Sequence, residues 1–174
     1  MSPRLSHRLA MAATALLLAL PAAASAQGTI NIGLREDPDL LDPTLGSSYV
    51  GRIVYASLCD KLFDLDANLN VVPQLALGWE YEDPTHLVIR LRPNVTFHDG
   101  EPFNAAAVAY KINRDLTLTG TMRRGEVNSI KAVEIIDPLT VRLVLNAPNA
   151  PLLSLLTDRA GIMISPKAAE AAGA

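Results

Sequence analysis

From residue 29 onward the hydrophobic pattern switches between strand-like alternation and helical spacing. Ile30, Ile32 and Leu34 take alternate positions in 29–35, as a half-buried strand requires, and Glu36-Asp37-Pro38 ends the run. A polar loop follows through Leu41-Asp42-Pro43 to Gly46-Ser47-Ser48. Val50, Ile53, Val54 and Leu58 then recur at helical spacing, with Ser48 placed as the N-cap. Leu62 to Leu65 predicts a short strand closed by Asp66-Ala67-Asn68, and Val71-Val72-Pro73 leads into Gln74-Leu75-Ala76.

Two hairpins are predicted next. Trp79–Glu82 and His86–Arg92 flank Asp83-Pro84-Thr85, with Leu87, Ile89 and Leu91 on one face. Ile130 to Leu145 turns at Asp137-Pro138-Leu139-Thr140, with Val141, Leu143 and Leu145 aligned. Between the hairpins, Pro93-Asn94 and Asp99-Gly100 are turn sequences around Val95-Thr96-Phe97. Asn104 caps the clearest helix, whose Ala105, Val108, Ala109, Ile112 and Leu116 share a face. Thr117 to Gly125 is expected to be a polar loop tipped by Arg123 and Arg124. Pro151–Leu156 predicts a short helix, Gly161–Ser165 a strand, and Pro166 opens a last helix. No internal repeat is evident. Mixed strands and helices with two antiparallel hairpins make the fold class α+β rather than doubly wound.

The first 26 residues have a different pattern. Arg4, His7 and Arg8 precede an apolar run from Leu9 to Leu20, and Ala24-Ser25-Ala26 supplies a small-residue cleavage pattern. As a helix that run reaches about 18 Å, short of the roughly 30 Å of bilayer hydrocarbon, so it is an export signal rather than an anchor. Cleavage is expected before Gln27. Without a cysteine at that position the exported chain is expected to be unlipidated and soluble beyond the inner membrane.

Composition changes this picture little. The 174 residues carry a net charge of −3, and losing Arg4 and Arg8 with the signal makes the chain more acidic. No basic patch interleaved with aromatics points to nucleic acid. The single cysteine, Cys59, lies in an apolar helical pattern and reads as a buried, inert thiol. His98-Asp99 lacks a nucleophile elbow or paired-histidine spacing around it, so it reads as a turn and not as a catalytic dyad. No catalytic residue, metal ligand or cofactor is expected. The last residues, Ala168 to Ala174, continue a helix without a core-facing large side chain or a cap, an ending that reads as a truncation.

The ordered set Val72-Pro73-Gln74-Leu75-Ala76, Trp79, Leu91-Arg92 and Phe97-His98-Asp99-Gly100-Glu101-Pro102 resembles the family 5 extracellular solute-binding proteins. Val133-Glu134-Ile135-Ile136-Asp137-Pro138-Leu139-Thr140-Val141 is similar to the same family's following hairpin. One departure is Asn104-Ala105-Ala106-Ala107-Val108, where the family usually has an acidic residue ahead of the valine. Trp79 is expected to pack where the first hairpin meets a helix.

The resemblance implies the N-terminal part of a two-lobed, type II, dipeptide-binding-like fold, with a mixed sheet, antiparallel hairpins and packed helices. It divides the chain into a signal (1–26), the first strand and loop of lobe one (27–47), an inserted subdomain (48–160) and the start of the return (161–174). The implied function is capture of a small solute, foremost a peptide, and delivery to ABC permease subunits. The protein is then periplasmic, monomeric at full length, and meets the membrane only through the permease.

Ligand contacts are expected at Gly46, Ser47, Ser48 and Tyr49, where family members run backbone beside a peptide. Arg123 or Arg124 is a candidate for a peptide carboxylate, and Arg35 and Glu36 are further charged candidates. The alternatives are a metal–chelate, heme, glutathione or opine-like solute, a secreted hydrolase, or a non-transporting chaperone or sensor. One lobe alone is expected to bind weakly and to expose an apolar seam.

Overall fold

The computed structural model describes residues 28–173. The expected signal and cut site lie outside them. The chain divides after Gly33 into two units. In the first, residues 28–33 form no strand, and Ile30 and Ile32 are exposed. The strand expected over 29–35 is therefore corrected. Alternation defines a face, but a strand also needs a second one to complete its ladder.

The second unit begins at Leu34. Its helix α1 (Tyr49–Leu58) starts where the Ser48 hydroxyl accepts the Gly51 amide at 2.9 Å. It buries Val50, Gly51 and Tyr55, whereas Ile53 and Leu58 of the expected apolar face stay exposed. Strands β1 (Phe63–Leu65) and β2 (Val71–Pro73) pair antiparallel. Then come β3 (Ala76–Asp83), β4 (His86–Leu91), helix α2 (Ala105–Thr117), the short helix α3 (Arg124–Val127), β5 (Ile130–Asp137) and β6 (Thr140–Leu145). The chain closes with α4 (Leu152–Leu155), a 3-10 turn (Arg159–Gly161) and α5 (Pro166–Ala171).

The main sheet runs β3-β4-β6-β5, and every ladder among the described residues is antiparallel, so the expected mixed sheet is not seen there. Leu87, Ile89 and Leu91 of β4 and Val141, Leu143 and Leu145 of β6 point inward, with Leu87 opposite Leu143 and Ile89 opposite Val141. Helix α2 packs its Ala105, Val108 and Ile112 into the same core. On the outer face Arg142 holds Glu82 through two bonds (2.8 and 3.0 Å) and Glu134 through a third at 3.0 Å.

The two hairpins are one unit used twice, contrary to the reading that no repeat exists. Glu80, Asp83, Pro84 and Leu91 of the first match Glu134, Asp137, Pro138 and Leu145 of the second at equal spacing. The register slips at corresponding places, Ala76/Gly78 and Tyr81/Asp83 against Ile130/Ala132 and Ile135/Asp137. The other matched positions keep burial rather than identity, and this hid the repeat in the sequence.

Asn104 caps α2 by accepting the Ala107 amide at 3.1 Å. Ahead of it, Thr96 bridges Pro102 across a turn in which Gly100 has φ of 85°, a left-handed value that favours glycine. Trp79 packs edge-on against Phe63 at 5.2 Å, so it joins the hairpin to β1. The predicted strand at 161–165 is only the Lys61–Ile162 bridge following the 3-10 turn. Leu143→Ala should cost about 2–5 kcal/mol by urea denaturation, because it empties a fully buried site in a central strand. Val144→Ala, on the opposite face of the strand, should cost much less.

Candidate functional site

In the loop 38–48 Leu40 and Leu41 are exposed, whereas Pro43, Thr44 and Gly46 are buried. Charged and polar groups hold the loop. The Asp39 carboxylate accepts the Ser47 amide and hydroxyl (2.7 and 2.8 Å) and the Ser48 amide and hydroxyl (3.1 and 2.8 Å). The Ser47 amide, followed by the two hydroxyls, holds this carboxyl far below the usual carboxylate range.

Asp42 ties the loop to α2. Arg114 donates to both its oxygens, at 3.1 and 2.6 Å, and the Thr44 amide donates at 2.8 Å. Burial alone would raise the Asp42 carboxyl, but the Arg114 bonds and the Thr44 amide bring it below its ordinary value. The Thr44 hydroxyl donates to Asp115 at 2.8 Å, and the Lys111 ammonium pairs with the other Asp115 oxygen. Lys111 and Asp115 have no side-chain exposure. Burial lowers the lysine and raises the aspartate, so each is pushed toward its neutral form against the pull of its partner.

The far end of the loop is fixed through Gly46. Its amide donates to the Asp42 carbonyl at 2.7 Å, and its carbonyl accepts Arg123 at 3.2 Å and Arg159 at 3.3 Å. A Cβ at Gly46 would lie 2.2 Å from the Tyr55 hydroxyl, which itself donates to the Leu40 and Asp42 carbonyls. Arg123 also pairs with Glu126 at 2.5 Å, and Arg52 with Asp158 at 2.6 Å. The Nε atoms of Arg114, Arg123 and Arg159 are buried without a hydrogen-bond partner. Each is a desolvation cost that apolar packing would avoid.

The candidates from sequence therefore separate. Gly46, Ser47, Ser48 and Tyr49 lie together at the entry to α1. The amides of Gly46, Ser47 and Ser48 are already donated within the chain, so what remains outward is Ser47 and the ring of Tyr49, which is 71% exposed. Arg123 is corrected from an exposed loop residue to one 3% exposed, because Glu126 and the Gly46 carbonyl draw its guanidinium inward. Arg124 stays exposed and donates to the Leu116 and Leu118 carbonyls at 2.8 and 3.4 Å. Arg35 and Glu36 are exposed.

Asp42, Lys111, Arg114, Asp115 and Arg159 were missed from sequence. Lys111 and Asp115 have i,i+4 spacing beside the apolar stripe of α2, the one local signal available.

Elsewhere, Asp99 accepts the Ser165 hydroxyl at 2.5 Å and His98 is exposed, so that pair serves the turn and the start of α5. Cys59 is a free thiol at the end of α1, raised above its ordinary value by burial and then by Asp60. Among the described residues no group of three or more His, Cys, Asp or Glu could hold a metal ion, and no helix is long and apolar enough to cross a membrane. A groove of about 540 Å3 lies between Ala56, Cys59, Leu75, Phe97, Phe103 and Met163. A second, of about 470 Å3, is lined by Arg52, Tyr55, Lys61, Asp64, Asp158 and Arg159.

Residues 70–173 match the profile described as "Bacterial extracellular solute-binding proteins, family 5 Middle". The glutathione-binding protein GsiB of Salmonella typhi is 32% identical over 159 residues, which is 90% of this chain and 31% of that protein. The chain thus spans under a third of the length of that curated relative. Among solved structures, NikA from Brucella suis in complex with Fe(III)-EDTA is similar with a TM-score of 0.66 and 31% identity, over 73% of this chain and 26% of that one. The Escherichia coli murein tripeptide binding protein MppA shares the fold with a TM-score of 0.71 at 20% identity, over 79% of this chain and 31% of that one.

Asp39→Ala should lower the denaturation midpoint at neutral pH and lose its effect in acid. The folded-state carboxyl lies below its unfolded value of about 3.9, so its contribution is present above that value and is lost as pH falls toward the folded one. The gap between variant and wild type should therefore narrow steadily below about pH 4. A gap unchanged from neutral to strongly acid pH would contradict the assignment.

Proposed function

The chain belongs to the bacterial extracellular solute-binding proteins of family 5, a family of binding proteins rather than enzymes, and from that membership we propose that it forms one wall of a solute-capturing cleft. The solute is a small peptide-like molecule, with glutathione the first to test because the curated relatives at about a third identity are glutathione-binding proteins. The protein carrying this chain works outside the inner membrane after cleavage before Gln27 and hands its solute to ABC permease subunits.

The observation that supports this reading is the loop 38–48. It is held by Asp39, Asp42, Arg114 and Arg123, and it presents Ser47 and Tyr49 outward at the start of α1. A rigid loop that exposes an aromatic ring suits recognition, since binding then costs little ordering of the site. Tyr49 supplies a flat apolar face and a hydroxyl, Ser47 a hydroxyl, and Gly46 and Ser48 fix their position. Arg124, Arg35 and Glu36 are the exposed charges proposed to meet a charged solute. Closure of a second lobe over this wall completes burial, with solute contacts stabilising the closed state over the open one.

A thermal-shift screen of the protein carrying this chain tests the proposal. The panel is glutathione, di- and tripeptides, and a nickel–histidine chelate. Glutathione or a short peptide should raise the midpoint, by about 2.7 kcal/mol of stability at a hundredfold excess over the dissociation constant. A shift with the chelate alone would overturn the peptide-like assignment.

A further inference from the structure

We propose that Arg123 and Arg159 are positioning residues: together they hold the Gly46 carbonyl so that the loop carrying Ser47 and Tyr49 is set for its solute before the solute arrives. The inference rests on the solute-binding reading above. Both guanidinium groups donate to one carbonyl oxygen, Arg123 at 3.2 Å and Arg159 at 3.3 Å. The two side chains come from parts of the chain remote in sequence, the turn before α3 and the 3-10 turn after α4. Bringing two like charges to one acceptor is unfavourable unless each is compensated. Glu126 compensates Arg123 at 2.5 Å, and Asp158 lies 3.9 Å from Arg159 while also pairing with Arg52.

The arrangement suits positioning better than solute contact. Arg123 and Arg159 are 3% and 8% exposed, and both keep a buried Nε without a hydrogen-bond partner. Gly46 has no room for a side chain, because a Cβ there would collide with the Tyr55 hydroxyl, so the Tyr55 ring packs directly against the loop backbone. With its amide on Asp42 and its carbonyl on two arginines, Gly46 is fixed from both sides, and Ser47, Ser48 and Tyr49 follow directly in the chain. Lysine keeps the charge but loses the planar fork that lets Arg123 serve Glu126 and Gly46 together.

The test compares wild type, Arg123→Lys and Leu143→Ala in the protein carrying this chain, by hydrogen exchange without solute and by titration with glutathione. Leu143→Ala lowers stability from the sheet core. In Arg123→Lys the amides of Gly46, Ser47 and Ser48 should exchange roughly tenfold faster and glutathione should bind roughly tenfold more weakly. Leu143→Ala should leave both readouts near wild type at a comparable loss of thermal midpoint. Exchange in Arg123→Lys that matches wild type, or tracks Leu143→Ala, overturns the proposal. Should Arg123→Lys fail to fold, Arg159→Lys, which removes the longer of the two bonds, is read in the same way. If wild type binds nothing in the panel the solute-binding reading fails, while the exchange arm still judges the clamp.

Discussion

The bidentate bond between Arg114 and Asp42 joins two parts of the chain that lie 72 residues apart. One is the long helix α2, seated on the sheet by Val108 and Ile112; the other is the loop 38–48, whose leucines Leu40 and Leu41 stay exposed. Asp39 and its two serines close the turn on itself, whereas this pair ties the loop to α2. Thr44 adds a second attachment through Asp115, which Lys111 keeps in place. The whole set is costly, since it takes two positive and two negative groups largely out of water. It is offset by bonds that reach nearly every oxygen involved. Such a set specifies one loop geometry where apolar contacts would allow several.

The sheet supplies the fixed platform for that helix. Two hairpins of the same build meet through β4 and β6, placing Leu87 against Leu143 and Ile89 against Val141 at the centre. The outward face carries Arg142 between Glu82 and Glu134, an exposed ladder that keeps water on one side and blunts edge association. Stability is thus concentrated in the hairpins and α2, and the loop proposed for recognition is bolted to them.

Much of this was legible in the pattern of residues. Both hairpins followed from alternation and their Asp-Pro turns, α2 from Asn104 and its apolar stripe, and α1 from Ser48. The strand at 29–35 did not form, because alternation carries no information about whether a pairing partner exists. The segment 161–165 gave one bridge in place of a strand for the same reason. In the loop, Gly46 to Tyr49 stood out as a cluster, but nothing local told that the carbonyl of Gly46 would receive two arginines from beyond residue 120. Arg123 looked like a solvated charge because its partners are one turn ahead and far back in the chain. Long-range polar pairing has no period, so a reading based on period passes over it.

For a family 5 member the consequence is a division of labour within one wall of the proposed cleft: charges inside hold the loop, and an aromatic and a hydroxyl outside are the groups proposed to meet the solute. The most direct test of that account is a double-mutant cycle on Asp42→Asn and Arg114→Met, read by urea denaturation. A coupling above about 1.5 kcal/mol is the predicted result, well beyond an exposed ion pair. Additivity within about 0.5 kcal/mol would mean that the loop is not held to α2 by this pair.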